Sequence, residues 1–191
     1  MSRLGIFIAD GCEEVEALTV VDIVRRAKLE IDMISINGTK QVTSSRNVTF
    51  MTDTTKEEAD FSAYDGIILP GGMPGTVHLG EDATVNQVIR AFAKEGKLVA
   101  AICAAPMVLK KAGVSAGRTL TSYPADKYRD LFTDSTYVDD QIVVTDGNLI
   151  TSRGPATVFP FAYALAEVLG GNVETVKERM LYNRLTDSWK N

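Results

Sequence analysis

The chain has 191 residues, of which 45% are hydrophobic and 24% charged, and its formal net charge is −5 with a pI near 5.0. That length suits a single domain spanning residues 1–191, with a core large enough to need no metal or disulfide. The composition excludes an intrinsically disordered chain. The acidic balance disfavours binding to nucleic acid, which needs clustered positive charge, and we expect no specific nucleic-acid site.

Neither a membrane span nor a secretory signal is predicted. The longest apolar run covers residues 98–109, whereas a spanning helix needs about 20 apolar residues. The first ten residues hold too short an apolar segment for a secretory signal and instead predict a buried strand. Two cysteines, Cys12 and Cys103, cannot organise a disulfide framework. We therefore expect a cytoplasmic protein with reduced thiols and no membrane partner.

Short apolar runs alternate with helical stretches along the chain. Strands are predicted at residues 4–9, 31–36, 66–69, 98–102, 119–121, 137–138, 142–145 and 149–151, with a hairpin formed by 42–44 and 48–52. Helices are predicted at residues 13–27, 83–95, 105–112, 156–169 and, last, 173–180. This alternation favours an α/β fold with a mainly parallel sheet and helices on both faces. Ligands of such folds lie beyond the carboxyl ends of the strands, so the strand-to-helix junctions at residues 10–16, 70–75 and 102–106 are the candidate site.

The junction at residues 102–106 places Cys103 at the turn from a buried strand into a helix. Ala101, Ala104 and Ala105 are small enough for a sharp turn of the kind that presents a nucleophile in hydrolases. A thiol at a helix start lies near free N–H groups and the positive end of the helix dipole, which favour the thiolate. The alternative is an inert core cysteine, and the position and the alanines favour a reactive thiol.

The other two junctions supply a carboxyl group and a glycine-rich turn. Glu16 shares a helix face with Val20, Ile23 and Ala27, which predicts that it leans toward the core, with a raised pKa and a protonated carboxyl beside the thiol. Taken alone, an acid at a solvated helix rim is the simpler interpretation.

The turn at residues 70–75 lacks the Gly-Lys-Ser/Thr of a phosphate-binding loop. Its paired glycines can present N–H groups to an oxyanion, or form a plain turn.

Together the junctions resemble the ThiJ/PfpI superfamily, most closely its DJ-1 subgroup. The matching stretches are Gly11-Cys12-Glu13-Glu14-Val15-Glu16, Val21-Asp22-Ile23-Val24-Arg25-Arg26-Ala27, Leu69-Pro70-Gly71-Gly72, Ala100-Ala101-Ile102-Cys103-Ala104 and Thr151-Ser152-Arg153-Gly154-Pro155. They stand in family order along nearly the whole chain. The resemblance implies a flavodoxin-like three-layer sandwich that works as a homodimer without a cofactor.

The resemblance also implies roles for particular residues. Cys103 is the reactive cysteine, Glu16 is its protonated partner, and the backbone N–H groups of Gly72 and Ala104 form an oxyanion pocket. The residues implied at the pocket or the dimer interface are Arg26, Arg46, Tyr123, Pro124 and Arg153.

Two departures from the family pattern bear on the chemistry. Proteases of the superfamily place a histidine directly after the nucleophile, where this chain has Ala104, so peptidase activity is not expected. Many DJ-1-like proteins carry a histidine before a proline, where this chain has Tyr123, and a tyrosine cannot replace imidazole as a base near neutral pH.

His78, the one histidine, lies elsewhere and is predicted to be a surface or packing residue. One histidine and two distant cysteines predict no metal site of the usual zinc kind.

The resemblance implies detoxification of α-oxoaldehydes such as methylglyoxal, or of their early adducts, by a glyoxalase- or deglycase-like reaction. The substrate partner is then a small aldehyde. The alternative is an oxidative-stress sensor or chaperone that works through oxidation of Cys103 without turnover. Cys12 is either a resolving thiol in that scheme or an inert turn residue.

Overall fold

The computed structural model describes residues 2–188. In chain order the strands are β1 (Arg3–Ile8), β2 (Glu30–Ser35), β3 (Gln41–Thr43), β4 (Thr49–Met51), β5 (Thr54–Thr55), β6 (Gly66–Leu69), β7 (Leu98–Ile102), β8 (Thr119–Leu120), β9 (Thr136–Tyr137), β10 (Val143–Asp146) and β11 (Leu149–Ser152). The helices are α1 (Glu14–Arg26), α2 (Gly75–Glu81), α3 (Ala83–Glu95), α4 (Pro106–Ala112), α5 (Asp126–Arg129), α6 (Val158–Val168), α7 (Val173–Arg179) and α8 (Tyr182–Ser188). Short 3₁₀ turns lie at Phe61–Ala63 and Pro155–Thr157.

A seven-stranded sheet in the order β10-β11-β7-β6-β1-β2-β5 forms the centre of the fold. Its neighbouring strands are parallel except for β10 and β11, which are antiparallel. Leu4 and Ile6 of β1 belong to a core that includes α1 and α6, whereas Phe7 belongs to a second core with α3 and α4. Both faces of the sheet are therefore covered, which explains why its strands are apolar throughout. The predicted α/β sandwich is confirmed.

The strand order brings the three junctions together. β7, β6 and β1 are adjacent and parallel, so the segments that follow their carboxyl ends lie side by side at one edge of the sheet. These segments are the three that the sequence analysis selected. The site is thus built where a parallel α/β sheet ordinarily binds ligands.

Several elements differ from the sequence-based predictions. The strands expected at 119–121 and 137–138 form a separate parallel pair, β8 and β9, and the short edge strand β5 was missed. The helix expected at 156–169 begins as a 3₁₀ turn, because the Thr157 hydroxyl accepts the Gly154 N–H at 3.0 Å and tightens the first turn. The helix at 173–180 is not the last, since Leu181, in the left-handed region, separates α7 from α8. None of the described helices is both long and apolar enough to cross a bilayer.

The predicted hairpin of β3 and β4 is confirmed, and hydrogen bonds fix it to the loop after β1. The Asp10 carboxylate accepts the Thr43 N–H at 2.8 Å, and the Gly11 N–H donates to the Thr43 carbonyl at 2.8 Å. The Ser45 N–H donates to the Cys12 carbonyl, also at 2.8 Å. The hairpin turn is thereby held beside the first junction.

Replacing Asp10 by Ala should loosen this attachment. Because the Thr43 N–H then loses its acceptor, its amide hydrogen should exchange faster in the Asp10→Ala variant, by about fivefold or more for a bond worth about 1 kcal/mol. The matched Asp10→Asn variant keeps an acceptor oxygen and should stay close to wild type. Equal exchange in all three proteins would contradict this role of Asp10.

Candidate active site

Cys103 lies on a strained turn between β7 and α4. Its backbone φ is 64°, in the left-handed region that a residue with a side chain rarely adopts. Two hydrogen bonds hold this conformation: the Cys103 N–H donates to the Ser152 carbonyl at 3.0 Å, and the Tyr123 N–H donates to the Cys103 carbonyl at 2.8 Å. Strain of this kind, about 1–3 kcal/mol, persists where surrounding contacts fix the geometry. The turn expected from the alanine-rich sequence is present.

Glu16 is completely buried at the start of α1 and faces the thiol. One carboxyl oxygen, Oε2, accepts the Gly71 N–H at 2.7 Å, while Oε1 is buried without a hydrogen-bond partner. Burial raises the pKa of Glu16 to about 7, against the lowering effect of the Gly71 N–H and the Cys103 thiol. A buried oxygen without a donor is the natural place for a proton. The predicted inward orientation and raised pKa of Glu16 agree with this environment.

Gly71 permits the close approach of these two side chains. A Cβ atom at this position would lie 2.6 Å from Glu16 Oε2 and 2.7 Å from Cys103 Cβ. Any side chain would therefore push the carboxyl group and the thiol apart. The glycine-rich turn is thus part of the site and not a plain turn.

The acidity of Cys103 differs from the expected lowered pKa. Burial raises the pKa of the Cys103 thiol, and a charged Glu16 raises it further through its charge and by accepting the thiol proton. The Ala104 N–H, at the turn into α4, lowers the pKa of the thiol, but by less than burial and Glu16 raise it. The thiol hydrogen bond favours charge on Glu16, whereas charge on Glu16 disfavours charge on the sulfur, so the carboxyl group ionises first and the last proton of the pair stays on the thiol. The sulfur gains its negative charge by passing that proton to Glu16.

Two backbone groups stabilise negative charge at the sulfur. The N–H groups of Ala104 and Gly72 donate to the Cys103 thiol and lower its pKa, against the larger effects of burial and Glu16. Gly72 has φ 91°, and a Cβ atom there would lie 2.2 Å from the Glu13 nitrogen, so this position requires glycine. Both N–H groups thus face the sulfur, and their role as an oxyanion pocket stays a prediction.

A cavity of about 360 Å³ opens above the thiol. Its lining residues are Glu13, Ser45, Arg46, Gly72, Met73, Cys103, Ala104, Tyr123, Lys127, Tyr128 and Pro155. The Tyr123 ring packs edge-on against Tyr128, with ring centroids 6.0 Å apart, and forms one wall. Arg46 and Tyr123, which were predicted at the pocket or the dimer interface, both line the cavity.

Several lining residues were missed by sequence reasoning. Ser45 adjoins Arg46 on the hairpin turn and could have been inferred from it. Lys127 and Tyr128 lie on α5, which has four residues. A helix this short shows no hydrophobic period, so no sequence signal indicated these two residues.

Other candidate residues lie outside the cavity. Arg26 pairs with Asp22 at 2.8 Å near the far end of α1, ten residues and roughly 15 Å along the helix from Glu16. Arg26 therefore does not line this cavity, and its alternative place at a dimer interface stays a prediction. Arg153 pairs with Asp139 at 3.6 Å, and Pro124 is exposed next to the lining residue Tyr123.

The remaining cysteine and the histidine take no part in the cavity. The Cys12 side chain is completely buried, and burial raises its pKa to about 12, which leaves no support for a resolving thiol. His78 is exposed, with Nδ1 3.0 Å from the Asp10 carbonyl, as expected of a surface residue. Across residues 2–188, no three or more His, Cys, Asp or Glu side chains form a potential metal site.

Comparison with known proteins identifies the family. The model of the DJ-1/PfpI family matches residues 2–168. The chain belongs to this family. It is 43% identical to protein dj-1beta of Drosophila melanogaster over 91% of both chains, and 31% identical to the glutathione-independent glyoxalase DJR-1.2 of Caenorhabditis elegans, also over 91% of both.

Solved structures agree with this assignment. The crystal structure of Drosophila melanogaster DJ-1beta matches with a TM-score of 0.90 at 42% identity, covering 95% of this chain and 98% of the other. Oxidized DJ-1 of Toxoplasma gondii matches with a TM-score of 0.89 at 30% identity, with the same coverage. The expected flavodoxin-like DJ-1 fold is confirmed.

Replacing Gly71 by Ala should disrupt the contact between Glu16 and Cys103. Because the added methyl group has no room, we expect the free energy of unfolding to fall by about 1–3 kcal/mol. Gly80→Ala is the matched control: this buried glycine of α2 would place its Cβ 3.6 Å from the nearest heavy atom, the Cδ of Lys111. It should be neutral or slightly stabilising. Denaturant unfolding measures both, and equal losses would contradict the packing role of Gly71.

Proposed function

We propose that this protein is a cysteine-dependent, cofactor-independent enzyme that converts α-oxoaldehydes such as methylglyoxal to 2-hydroxy acids. The observation that carries the proposal is the buried Glu16 carboxyl, with a pKa of about 7, beside a thiol that lines a cavity. Membership of the DJ-1/PfpI family and the likeness to a glutathione-independent glyoxalase support it. Early adducts of α-oxoaldehydes with proteins or nucleotides are alternative substrates for the same thiol.

The first step joins the sulfur to the aldehyde carbon. As the C–S bond forms, the thiol proton passes to the Glu16 carboxylate and the carbonyl π electrons move to oxygen. The N–H groups of Gly72 and Ala104 stabilise this oxyanion. Glu16 then donates its proton to the oxyanion, which gives a hemithioacetal. A thiol with a raised pKa suits this step, because its proton leaves only as the bond forms.

The second step moves a proton between the two substrate carbons. The Glu16 carboxylate removes the hydrogen from the carbon bonded to sulfur, which gives an enediol, and returns a proton to the neighbouring carbon. The first carbon is oxidised by two electrons and the second is reduced by two. The product is a 2-hydroxyacyl thioester on Cys103. Because the oxidation and the reduction occur within one molecule, no external electron carrier is needed.

The third step releases the product. Water attacks the thioester carbon, the C–S bond breaks, and the Cys103 sulfur with its proton is restored. For methylglyoxal the sum is the addition of one water to give lactate. A carboxyl group that alternates between acid and base works best with a pKa near the working pH, which burial supplies to Glu16.

Removing either member of the pair should stop turnover. We expect Cys103→Ala to reduce lactate formation from methylglyoxal to background, and Glu16→Gln to reduce kcat/KM by about 10² or more, the usual contribution of a general acid–base group. Cys12→Ala, the matched cysteine control, should retain activity close to wild type. Lactate formed by purified protein over many turnovers is the readout. Full activity in Cys103→Ala would contradict the proposal.

The activity should depend on pH through Glu16. Below its pKa the carboxyl group is protonated and cannot accept the thiol proton, so kcat/KM should rise with pH through about 7, following the pKa of Glu16. The raised pKa of Cys103 places any fall at much higher pH. Rate measurements between pH 5 and 9 test this, with residual Glu16→Gln activity lacking the inflection. A wild-type rate that is flat across pH 7 would contradict this role of Glu16.

A second function, an oxidation sensor, uses the same residues without turnover. A protonated Glu16 and the N–H groups of Gly72 and Ala104 offer donors to a sulfinate on Cys103, and the related Toxoplasma gondii protein is described in an oxidized form. Multiple turnovers of methylglyoxal favour the enzyme. Conversion of Cys103 to sulfinate by peroxide, with no turnover of any α-oxoaldehyde, favours the sensor.

A further inference from the structure

The cavity above Cys103 is larger than methylglyoxal alone requires. Its volume, about 360 Å³, lies at the lower end of the range for pockets that enclose drug-sized ligands, whereas methylglyoxal has five non-hydrogen atoms. With the aldehyde carbon against the sulfur, space remains for a longer substrate. The chemistry of the lining beyond Cys103 therefore bears on which α-oxoaldehyde binds.

Two cations line this space without a carboxylate partner. Arg46 lies on the turn between β3 and β4, and Lys127 lies on α5. Among residues 2–188, the ion pairs within 4.0 Å involve other arginines and lysines but neither of these two. The Lys127 Nζ instead lies 4.9 Å from the centroid of the Tyr128 ring, another lining residue. Both charges are thus available to a ligand.

One carboxylate at the rim opposes these cations only in part. Glu13 also lines the cavity, and its Oε2 accepts a hydrogen bond from the Ser45 hydroxyl at 3.5 Å. The rim therefore has an excess of positive charge, although the whole chain has a net charge of −5. A local positive excess in an acidic protein attracts anionic ligands to that place.

We infer that the preferred substrate is an α-oxoaldehyde that carries a carboxylate at the end remote from the aldehyde, bound by Arg46 and Lys127. The inference rests on the proposed function and adds a substrate class to it. A guanidinium group can bind a carboxylate through two parallel hydrogen bonds, and an ammonium group adds a point charge. The reaction is unchanged: one water is added, and the product is a 2-hydroxy diacid.

Kinetics with a matched pair of substrates tests this preference. The probes are 4,5-dioxopentanoate and its methyl ester, which have the same reacting end but differ in charge. We expect the wild type to have a kcat/KM about tenfold higher for the acid at low salt, a ratio that falls as ionic strength rises. Arg46→Gln and Lys127→Gln should each reduce this ratio by about threefold to fivefold, the effect of losing one partly solvated charge interaction.

A control variant separates local charge from net charge. Lys94→Gln removes one positive charge from an exposed position of α3, outside the cavity lining, and should leave the acid-to-ester ratio unchanged. A ratio near one in a wild type that turns over methylglyoxal would overturn the inference and leave the proposed function standing. An equal loss of the ratio in Lys94→Gln and in the pocket variants would also overturn it.

A binding measurement tests the charge preference independently of turnover. If no α-oxoaldehyde is turned over, the proposed function is wrong, but this inference can still be tested. Levulinate and its methyl ester lack the aldehyde and cannot react as α-oxoaldehydes. In Cys103→Ala, we expect levulinate to bind more tightly than its ester, by about the same tenfold, with NMR shift changes at Arg46 and Lys127. Equal affinities would overturn the charge preference of the cavity.

Discussion

The chemistry of this site depends on one proton shared by a buried carboxyl group and a thiol. Glu16 has no access to water, and a charged carboxylate in that position loses its hydration, which is why its pKa rises to about 7. The Cys103 thiol is also partly buried, and charge on Glu16 further disfavours charge on the sulfur. Above pH 7 the pair therefore carries one negative charge, which lies on Glu16 while the thiol keeps its proton. In the proposed reaction, proton transfer within this pair supplies the nucleophile, the acid and the base near neutral pH.

The fold provides this contact by joining three loops at one edge of a parallel sheet. β1, β6 and β7 are neighbours, so the loops after them supply Glu16, the paired glycines and Cys103. Gly71 lets the two side chains approach, and hydrogen bonds from neighbouring segments fix the strained turn at Cys103. The cost of the turn and of the buried carboxyl is offset by the two apolar cores that cover the sheet.

Much of the fold and the chemical centre could be predicted from the sequence. Apolar strands alternating with helices predict a parallel sheet. Its strand-to-helix junctions contain Glu16, Cys103 and the glycine-rich turn, which were therefore identified as the candidate site. The place of Glu16 at the head of an apolar helix stripe favoured an inward orientation, although a solvated rim was the simpler interpretation of that position alone. The acidity of Cys103 could not be predicted, because it depends on the balance between burial and a charge that lies 87 positions earlier in the sequence.

The outer part of the pocket was also beyond sequence reasoning. Lys127 and Tyr128 lie on a four-residue helix, too short for a hydrophobic period, and nothing local marks them as pocket residues. Arg26, predicted at the pocket or the dimer interface, does not line the cavity. The family resemblance named it, but the length of α1 carries it to the other end of the helix. The homodimer and the cytoplasmic location stay predictions.

Infrared titration of the Glu16 carboxyl group tests the shared-proton account most directly. The C=O stretch of a protonated buried carboxyl group is distinct from that of a carboxylate, and Glu16→Gln assigns the band. The account predicts that this band persists well above the ordinary range of glutamate and disappears with a midpoint near pH 7. Loss of the band near pH 4.5, the ordinary value, would contradict it, because a carboxylate of ordinary acidity accepts the thiol proton only weakly and cannot serve as an acid near neutral pH.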